Sequence, residues 1–298
     1  MKIQYYFLVI AAVALTQNTL AQNKKLIRPV FTPEKQFELS TTLEKEYYAG
    51  KESMTNQLYR HNYQLTVLSK DTNQTTTIRA TYKGIYFILG DKKKGTITGF
   101  DSQRPDSMVG AARDEDSRYT NDLYMQYNLA LIDQSFTIYI NQKGTIEKVT
   151  GVDSTSDYAL TKIKGRDPEY IRGFRASIKA SDENEDLKAT LQRAFDYTTS
   201  RPVGIGDSWI RSCPTDLDPI NVNYTLKAAG GDSLQVALAA STLNQKYKMT
   251  IKKTGTYTID TQSGLLRNGS MREDIVTTAA NPQQTRMTTR EKYTLLVK

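Results

Sequence analysis

Alternation of apolar and polar residues with a period of two dominates both ends of this chain and most constrains its fold. Phe37, Leu39 and Leu43 share one parity, while Glu38 and Glu44 share the other. Such alternation is typical of a strand that is buried on one side. From residue 206 to the end, six further strand-like segments follow one another, separated by short turns rich in glycine. Strands joined by short turns pair in antiparallel fashion.

Helical periodicity is confined to the middle of the chain. Apolar residues recur at four-residue spacing from Tyr119 to Leu131, and further helices are predicted over 154–164, over 168–178 and from residue 182 onward. We therefore predict an α+β fold that is mainly β. Its centre is a curved antiparallel sheet or a partly open barrel, with a few helices from the central segment packed against it.

The beginning of the chain has the features of a secretory signal peptide, assigned to residues 1–21. An almost wholly apolar run, Tyr5–Leu15, leads to small residues and to a cleavage site between Ala21 and Gln22. This run has about 11 residues, whereas a membrane span needs roughly 20. Residues 22–34 contain two prolines and are predicted to form a loosely ordered lead-in.

The remaining residues, 35–298, are predicted to form a single β-rich domain. Its strand-rich ends, 35–151 and 206–298, are two similar halves joined by a helical segment, 152–205. Related turn sequences, Asn141–Gly144 and Asp260–Gly264, occupy corresponding places in the two halves. The pattern leaves open whether a duplication produced them.

The expected product is exported and soluble, in the periplasm or outside the cell. Cleavage would leave Gln22 first rather than a lipid-modified cysteine, so the chain is not predicted to be a lipoprotein, and no transmembrane anchor is expected. Cys213 is the only cysteine, so the fold has no intramolecular disulfide. The net charge of +8 is spread among interspersed charges, which is typical of a solvated surface. Nucleic acid is not an expected partner.

Few residues in this chain suggest chemistry. The only histidine, His61, shares a predicted strand face with Tyr59 and Tyr63. We predict that these three side chains face a ligand and line an apolar cavity, whereas the plainer alternative is an ordinary core position. One histidine and one cysteine cannot form a zinc site of common composition. No metal, cofactor or catalytic residue is predicted.

A Gly-Asp-Ser-Trp sequence, residues 206–209, is the most distinctive short motif. Gly-Asp-Ser also begins the nucleophile motif of one class of hydrolases, but a serine nucleophile needs a positioned base, and no histidine pattern supplies one. We therefore interpret Gly206 and Asp207 as a turn in the chain. Ser208 then opens a strand that Trp209 anchors in the core.

Three segments in order, Phe136–Gly151, Pro202–Trp209 and Gly255–Gly264, resemble an uncharacterised family of exported proteins found mainly in Bacteroidota. The Gly-Asp-Ser-Trp sequence is the signature of that family. The resemblance covers most of the mature chain and implies a Gram-negative envelope. That family has no established activity, so the resemblance supplies no catalytic residues.

These observations favour a non-catalytic envelope protein that binds a ligand or partner on its curved sheet. By analogy of fold alone, the order of sheet and helices resembles periplasmic carriers of lipids or lipoproteins, so a hydrophobic ligand or an envelope protein is the expected partner. One alternative is an envelope hydrolase that uses paired carboxylates distant in the chain. The other is a structural or assembly protein at the outer membrane, docked there by its basic surface.

Overall fold

A computed structural model of the chain describes residues 24–50, 52–91, 96–105, 115–165, 167–179, 183–213, 220–244, 248–277 and 285–298. The predicted signal peptide lies outside the described residues.

Twelve strands of the described chain form one antiparallel sheet. In chain order they are β1 Gln36–Ala49, β2 Glu52–Lys70, β3 Thr76–Asp91, β4 Thr96–Asp101, β5 Ser135–Ile140, β6 Ile146–Thr150, β7 Ser208–Cys213, β8 Ile220–Gly230, β9 Ser233–Asn244, β10 Met249–Asp260, β11 Leu266–Thr277 and β12 Thr285–Val297. Each of the two predicted halves contributes six of these strands.

The sheet joins the two ends of the chain. Its order is β6-β5-β3-β2-β1-β12-β11-β10-β9-β8-β7, with β4 paired to the second half of β3. The β1–β12 ladder runs without a register shift from Phe37 opposite Val297 to Ala49 opposite Thr285. Among the described residues no ladder connects β6 with β7, so the sheet is not closed. The prediction of a mainly β fold with a curved antiparallel sheet and few helices is confirmed.

Four helices come from the middle of the chain. They are α1 Glu115–Leu131, α2 Val152–Lys162, α3 Pro168–Lys179 and α4 Glu183–Gln192, and a short 3-10 turn, Arg193–Phe195, continues α4. α1 packs against α2 and against β3 and β4, while α4 packs on β6. The helices therefore cover the inward face of the sheet near β3 and β6, as their apolar stripes require.

Residues 193–203 continue the cover across the second half of the sheet. The Tyr197 ring lies 5.5 Å from that of Tyr257 on β10, and the Tyr257 hydroxyl donates a 3.0 Å hydrogen bond to the carbonyl of Arg193. Tyr197, Tyr224 and Tyr257 are all fully buried. The inward face of β8 and β10 is thus filled by side chains.

Residues 24–34 form no regular helix or strand, but apolar side chains among them enter the core. Ile27 and Phe31 are buried, and the ring of Phe31 lies 6.0 Å from that of Phe195. The N–H of Val30 donates a 2.7 Å hydrogen bond to the carbonyl of Ser263 in the β10–β11 turn. The two prolines prevent regular structure here, but the apolar side chains between them still have a core to enter.

Candidate functional site

A cavity of about 620 Å³ lies between the inward face of β1, β2 and β12 and the helices α1, α2 and α4. Leu131, Val152 and Leu187 line it from the helices. Six aromatic side chains contribute to its wall: Tyr59, His61, Tyr63, Tyr82, Tyr127 and Tyr293. A space of this size, lined by aromatic and aliphatic groups, suits a small-molecule ligand.

Strand register explains why these side chains converge. Thr41 lies directly opposite His61 on one side and Tyr293 on the other. Two residues along β1, Leu43 lies between Tyr59 and Glu291 in the same way. Residues that face each other across a ladder share one face of the sheet, so each inward position of β1 defines a row that crosses three strands.

The structure brings the three predicted ligand-facing residues together on the cavity wall. The Tyr63 ring lies 5.2 Å from that of Tyr82 and 6.0 Å from that of His61, and Tyr59 stacks on Phe87 at 6.4 Å. Tyr63 is fully enclosed, while Tyr59 and His61 are half-buried beside the space. Their contact with a ligand stays a prediction.

The aromatic wall carries no charge at neutral pH. Burial lowers the pKa of His61 to about 4, because the protonated imidazole would lose its hydration there. Burial likewise raises the pKa of Tyr63 well above its ordinary value, and a smaller effect of the same kind acts on Tyr59. The wall therefore presents neutral rings, which suit an apolar ligand.

One ion pair lies at the boundary between the cavity and the core. Arg193 Nη1 lies 2.5 Å from Glu291 Oε1, and the hydroxyl of Tyr293 donates a hydrogen bond to Glu291 Oε2. Both oxygens of this carboxylate are therefore engaged. Only 6% of the Glu291 side chain and 18% of the Arg193 side chain are exposed. Removal of either partner would leave the other charge buried without this compensation and would destabilise the fold.

The cavity changes in polarity along the strands. Inward positions of β1 are buried at Leu39 and Thr41 but half-buried at Leu43 and Lys45. Lys45 lies opposite Gln57 on β2, and both line the more exposed end of the cavity. The space therefore has an enclosed apolar end and an exposed polar end.

The residues of the Gly-Asp-Ser-Trp sequence lie away from this cavity. Gly206 adopts a φ of +90° and Asp207 accepts a 2.9 Å hydrogen bond from a backbone N–H within the same turn. Ser208 is exposed on the outer face of β7, where its hydroxyl lies 2.9 Å from a threonine hydroxyl of β8. Trp209 points inward and stacks on Tyr224 with ring centroids 5.8 Å apart. These contacts support the structural interpretation of the motif.

Sequence analysis missed Arg193 and Glu291. Glu291 carries a signal in retrospect, because it shares the inward parity of β12 with the buried Tyr293, where the alternation calls for an apolar residue. Arg193 carries no such signal, since it lies off the stripe formed by Leu191 and Ala194. Only the fold shows that these two charges meet.

The described residues show neither a metal-binding cluster nor a membrane-spanning helix. No group of three or more histidine, cysteine or carboxylate side chains within them converges in a way that could hold a metal ion. No helix of the described chain has the length and apolar character needed to cross a membrane.

Comparison with known proteins places the chain in a family. The model of a family of unknown function, DUF6263, matches residues 73–266. The chain belongs to this family. The DUF6263 match includes α1, α2 and α4, which form one wall of the cavity, whereas β1, β2 and β12 on the opposite wall lie outside the matched range.

The other comparisons add no functional information. No curated protein matches the chain. One solved structure, an outer membrane channel from Pseudomonas putida F1, aligns over 90% of this chain and 97% of its own with 7% identity. The TM-score of that alignment is 0.18, which is too low to support an argument about fold or function.

Proposed function

We propose that this protein is an exported, non-catalytic binding protein that holds a hydrophobic or amphipathic ligand, such as a lipid or the acyl part of a lipoprotein. The hollow between the inward face of the sheet and the helices carries this proposal. The inward face over β8 and β10 is filled with side chains, but the face over β1, β2 and β12 retains a space of about 620 Å³. The neutral aromatic and aliphatic part of the lining favours the burial of apolar surface, while charged side chains such as Lys45 and Asp186 line other parts of it.

The change in polarity supports an amphipathic ligand in particular. An acyl chain or similar apolar group would occupy the enclosed end near Tyr63 and Leu131. A polar group would remain near Lys45 and Gln57, where it could keep part of its hydration. A ligand held in this way needs no covalent step.

The carboxylates at the cavity favour binding over hydrolysis. Both oxygens of Glu291 are engaged by Arg193 and Tyr293, so this carboxylate is poorly placed to take part in proton transfer. Asp186 also lines the cavity, but it is exposed on α4. Glu291 and Asp186 therefore do not present the pair of available carboxyl groups that a glycosidase uses.

The location belongs to the same proposal. The apolar run Tyr5–Leu15 and the junction between Ala21 and Gln22 support export to the periplasm or the medium, and the Gly-Asp-Ser-Trp sequence supports an origin in Bacteroidota. The intact mass of protein purified from its native cells tests the first point. We expect a chain that begins at Gln22, and a chain that begins at Met1 would contradict export by this route.

Two measurements test ligand binding. Native mass spectrometry of protein purified from its own cells should show a bound lipid-sized mass. Titration with a dansyl-labelled fatty acid should then give saturable binding. Leu43→Trp places a larger side chain in the middle of the cavity wall. We therefore expect the dissociation constant of the probe to rise about tenfold or more, which is a loss of about 1.4 kcal/mol or more in binding free energy.

The matched control is Leu243→Trp, which makes the same substitution at an exposed position on the outer face of β9. It should bind the probe as the unaltered protein does, and both variants should keep the melting temperature to within a few degrees. The proposal is wrong if no lipid copurifies and no probe binds. Equal binding by the two variants would show that the probe occupies some other place.

A further inference from the structure

Helix α3 buries only one narrow apolar stripe against the rest of the protein. Ile171 and Phe174 are buried, Ile178 is half-buried, and the remaining described side chains of the helix are exposed. These three residues lie at i, i+3 and i+7, which is the spacing of a single helix face. More than half of the helix surface is therefore presented to solvent.

The exposed surface of α3 is basic. Arg172, Arg175 and Lys179 repeat the same i, i+3, i+7 spacing, and Lys162 and Lys164 are exposed just before the helix. We call these five residues the basic surface. The segment from residue 162 to residue 179 contains only two carboxylates, Asp167 and Glu169.

Those two carboxylates are used locally. Asp167 Oδ1 accepts hydrogen bonds from the N–H groups of Glu169 and Tyr170 at 2.9 and 3.0 Å, so it caps the first turn of α3. Glu169 Oε1 lies 3.1 Å from Arg172, and Asp157 of α2 lies 2.6 Å from Lys179. Even with Asp157 counted, five cations face three anions, and a positive field remains.

Aromatic contacts connect this helix with the cavity. Tyr59 on the cavity wall stacks on Phe87 at 6.4 Å, Phe87 lies 6.5 Å from Tyr124 of α1, and Tyr124 packs edge-on against Phe174 of α3 at 4.8 Å. Phe174, on the buried face of α3, is thus the last ring of an aromatic row that begins at Tyr59 in the proposed ligand site.

We propose that the basic surface of α3 docks the protein on an anionic lipid bilayer. Each lysine or arginine held near such a surface contributes favourably, and the contributions add across a cluster. Tyr158 is exposed beside these cations, with Lys162 Nζ 4.7 Å above its ring, and Tyr170 is partly exposed where its ring packs on Tyr119 of α1. Tyrosine rings with one polar end suit the lipid headgroup region.

A depression between α2 and α3 adds a place for a headgroup. It has a volume of about 460 Å³ and is lined by Arg175, Lys179 and Asp157, with Leu160 and Thr161. Lys179 is paired there with Asp157, so Arg175 beside the apolar Leu160 is the cation that would meet a lipid phosphate attached to glycerol and acyl groups. Docking by this surface would place the aromatic row next to the bilayer, and this consequence alone rests on the proposed function.

Flotation with vesicles tests the docking surface. The purified protein, shown by its mass to lack Tyr5–Leu15, is mixed with vesicles of phosphatidylcholine alone or with added phosphatidylglycerol. We expect binding only to the anionic vesicles, and a decrease as salt shortens the screening length. The double variant Lys164→Glu/Arg175→Glu should reduce partitioning at least about tenfold.

Lys148→Glu/Lys252→Glu is the matched control, because it changes the net charge equally at exposed positions on β6 and β10. It should keep most of the vesicle binding. Equal loss in both double variants, or binding that is independent of lipid charge, would overturn the proposed surface. The dansyl-labelled fatty acid should bind the α3 variant normally, so failure of docking and failure of the ligand site give different results.

Discussion

Replacement of Glu291 by glutamine should destabilise the fold by about 3 kcal/mol, the lower end of the cost of breaking a buried ion pair. The carboxylate is almost wholly buried, and one of its oxygens lies 2.5 Å from a guanidinium nitrogen of Arg193. Glutamine keeps the shape and one hydrogen-bond acceptor but removes the charge. The largely buried charge of Arg193 would then no longer be offset by that of Glu291, which is the main source of the loss.

Urea unfolding at neutral pH measures the free energy directly, and a thermal scan should show a melting temperature lower by about 6 °C or more. Glu169→Gln is the matched control, since Glu169 pairs with Arg172 at the surface, where 86% and 77% of the two side chains are exposed. Loss of that pair should cost less than about 1 kcal/mol.

A double variant distinguishes the loss of the ion pair itself from the cost of leaving one buried charge without the other. Arg193→Met together with Glu291→Leu removes both charges, so we expect it to be more stable than Glu291→Gln alone, because no buried charge is left over. The reasoning is refuted if Glu291→Gln unfolds at the same urea concentration as the native protein. A double variant less stable than the single one would refute it as well.

Three further predictions concern pH, a turn and the thiol. Burial lowers the pKa of His61 from 6.5 to about 4, so the unfolded chain takes up the proton first, and stability should fall by up to about 3 kcal/mol as the pH drops through this window. The free energy of unfolding of His61→Gln, measured in urea at pH values between about 4 and 6.5, should lack this pH-dependent loss. A pH profile identical to that of the native protein would contradict the lowered pKa of His61. Gly264 has a φ of +62°, and an added Cβ would lie 1.9 Å from the Arg28 carbonyl, so Gly264→Ala should cost more than Gly231→Ala, which has a φ of +57° and open space around it. We expect about 1 kcal/mol for the latter and at least about 2 kcal/mol for the former by chemical denaturation, and equal losses would show that the amino-terminal segment does not pack there. Burial raises the pKa of Cys213 to about 11, so Ellman's reagent should label it only on unfolding, and rapid labelling of the native protein would be inconsistent with its position.

Much of the secondary structure could be predicted because its signal is local. The β10–β11 turn at residues 262–264 and the helix that begins at Pro168 both appear where the pattern indicates them. Each of these features depends on residues within a few positions of one another.

The packing of the amino-terminal segment could not be predicted in this way. Polar residues and prolines between 24 and 34 indicate a loop, and locally they do form one. What orders this loop is distant in the chain: Ile27 exchanges hydrogen bonds with Thr199, and Val30 bonds to Ser263. No periodicity within these eleven residues carries that information.

In the candidate site, too, some features follow from local sequence and others from long-range packing. Alternation by itself placed Tyr59, His61 and Tyr63 on one strand face, because side chains in a strand point to opposite sides in turn. Whether that face would be filled or hollow depended on which helices covered it and how closely. Arg193 and Glu291 are 98 residues apart in the chain, and only the β1–β12 ladder and the helix above it bring them into contact. Local sequence determines the direction of a side chain, whereas long-range packing determines what that side chain meets.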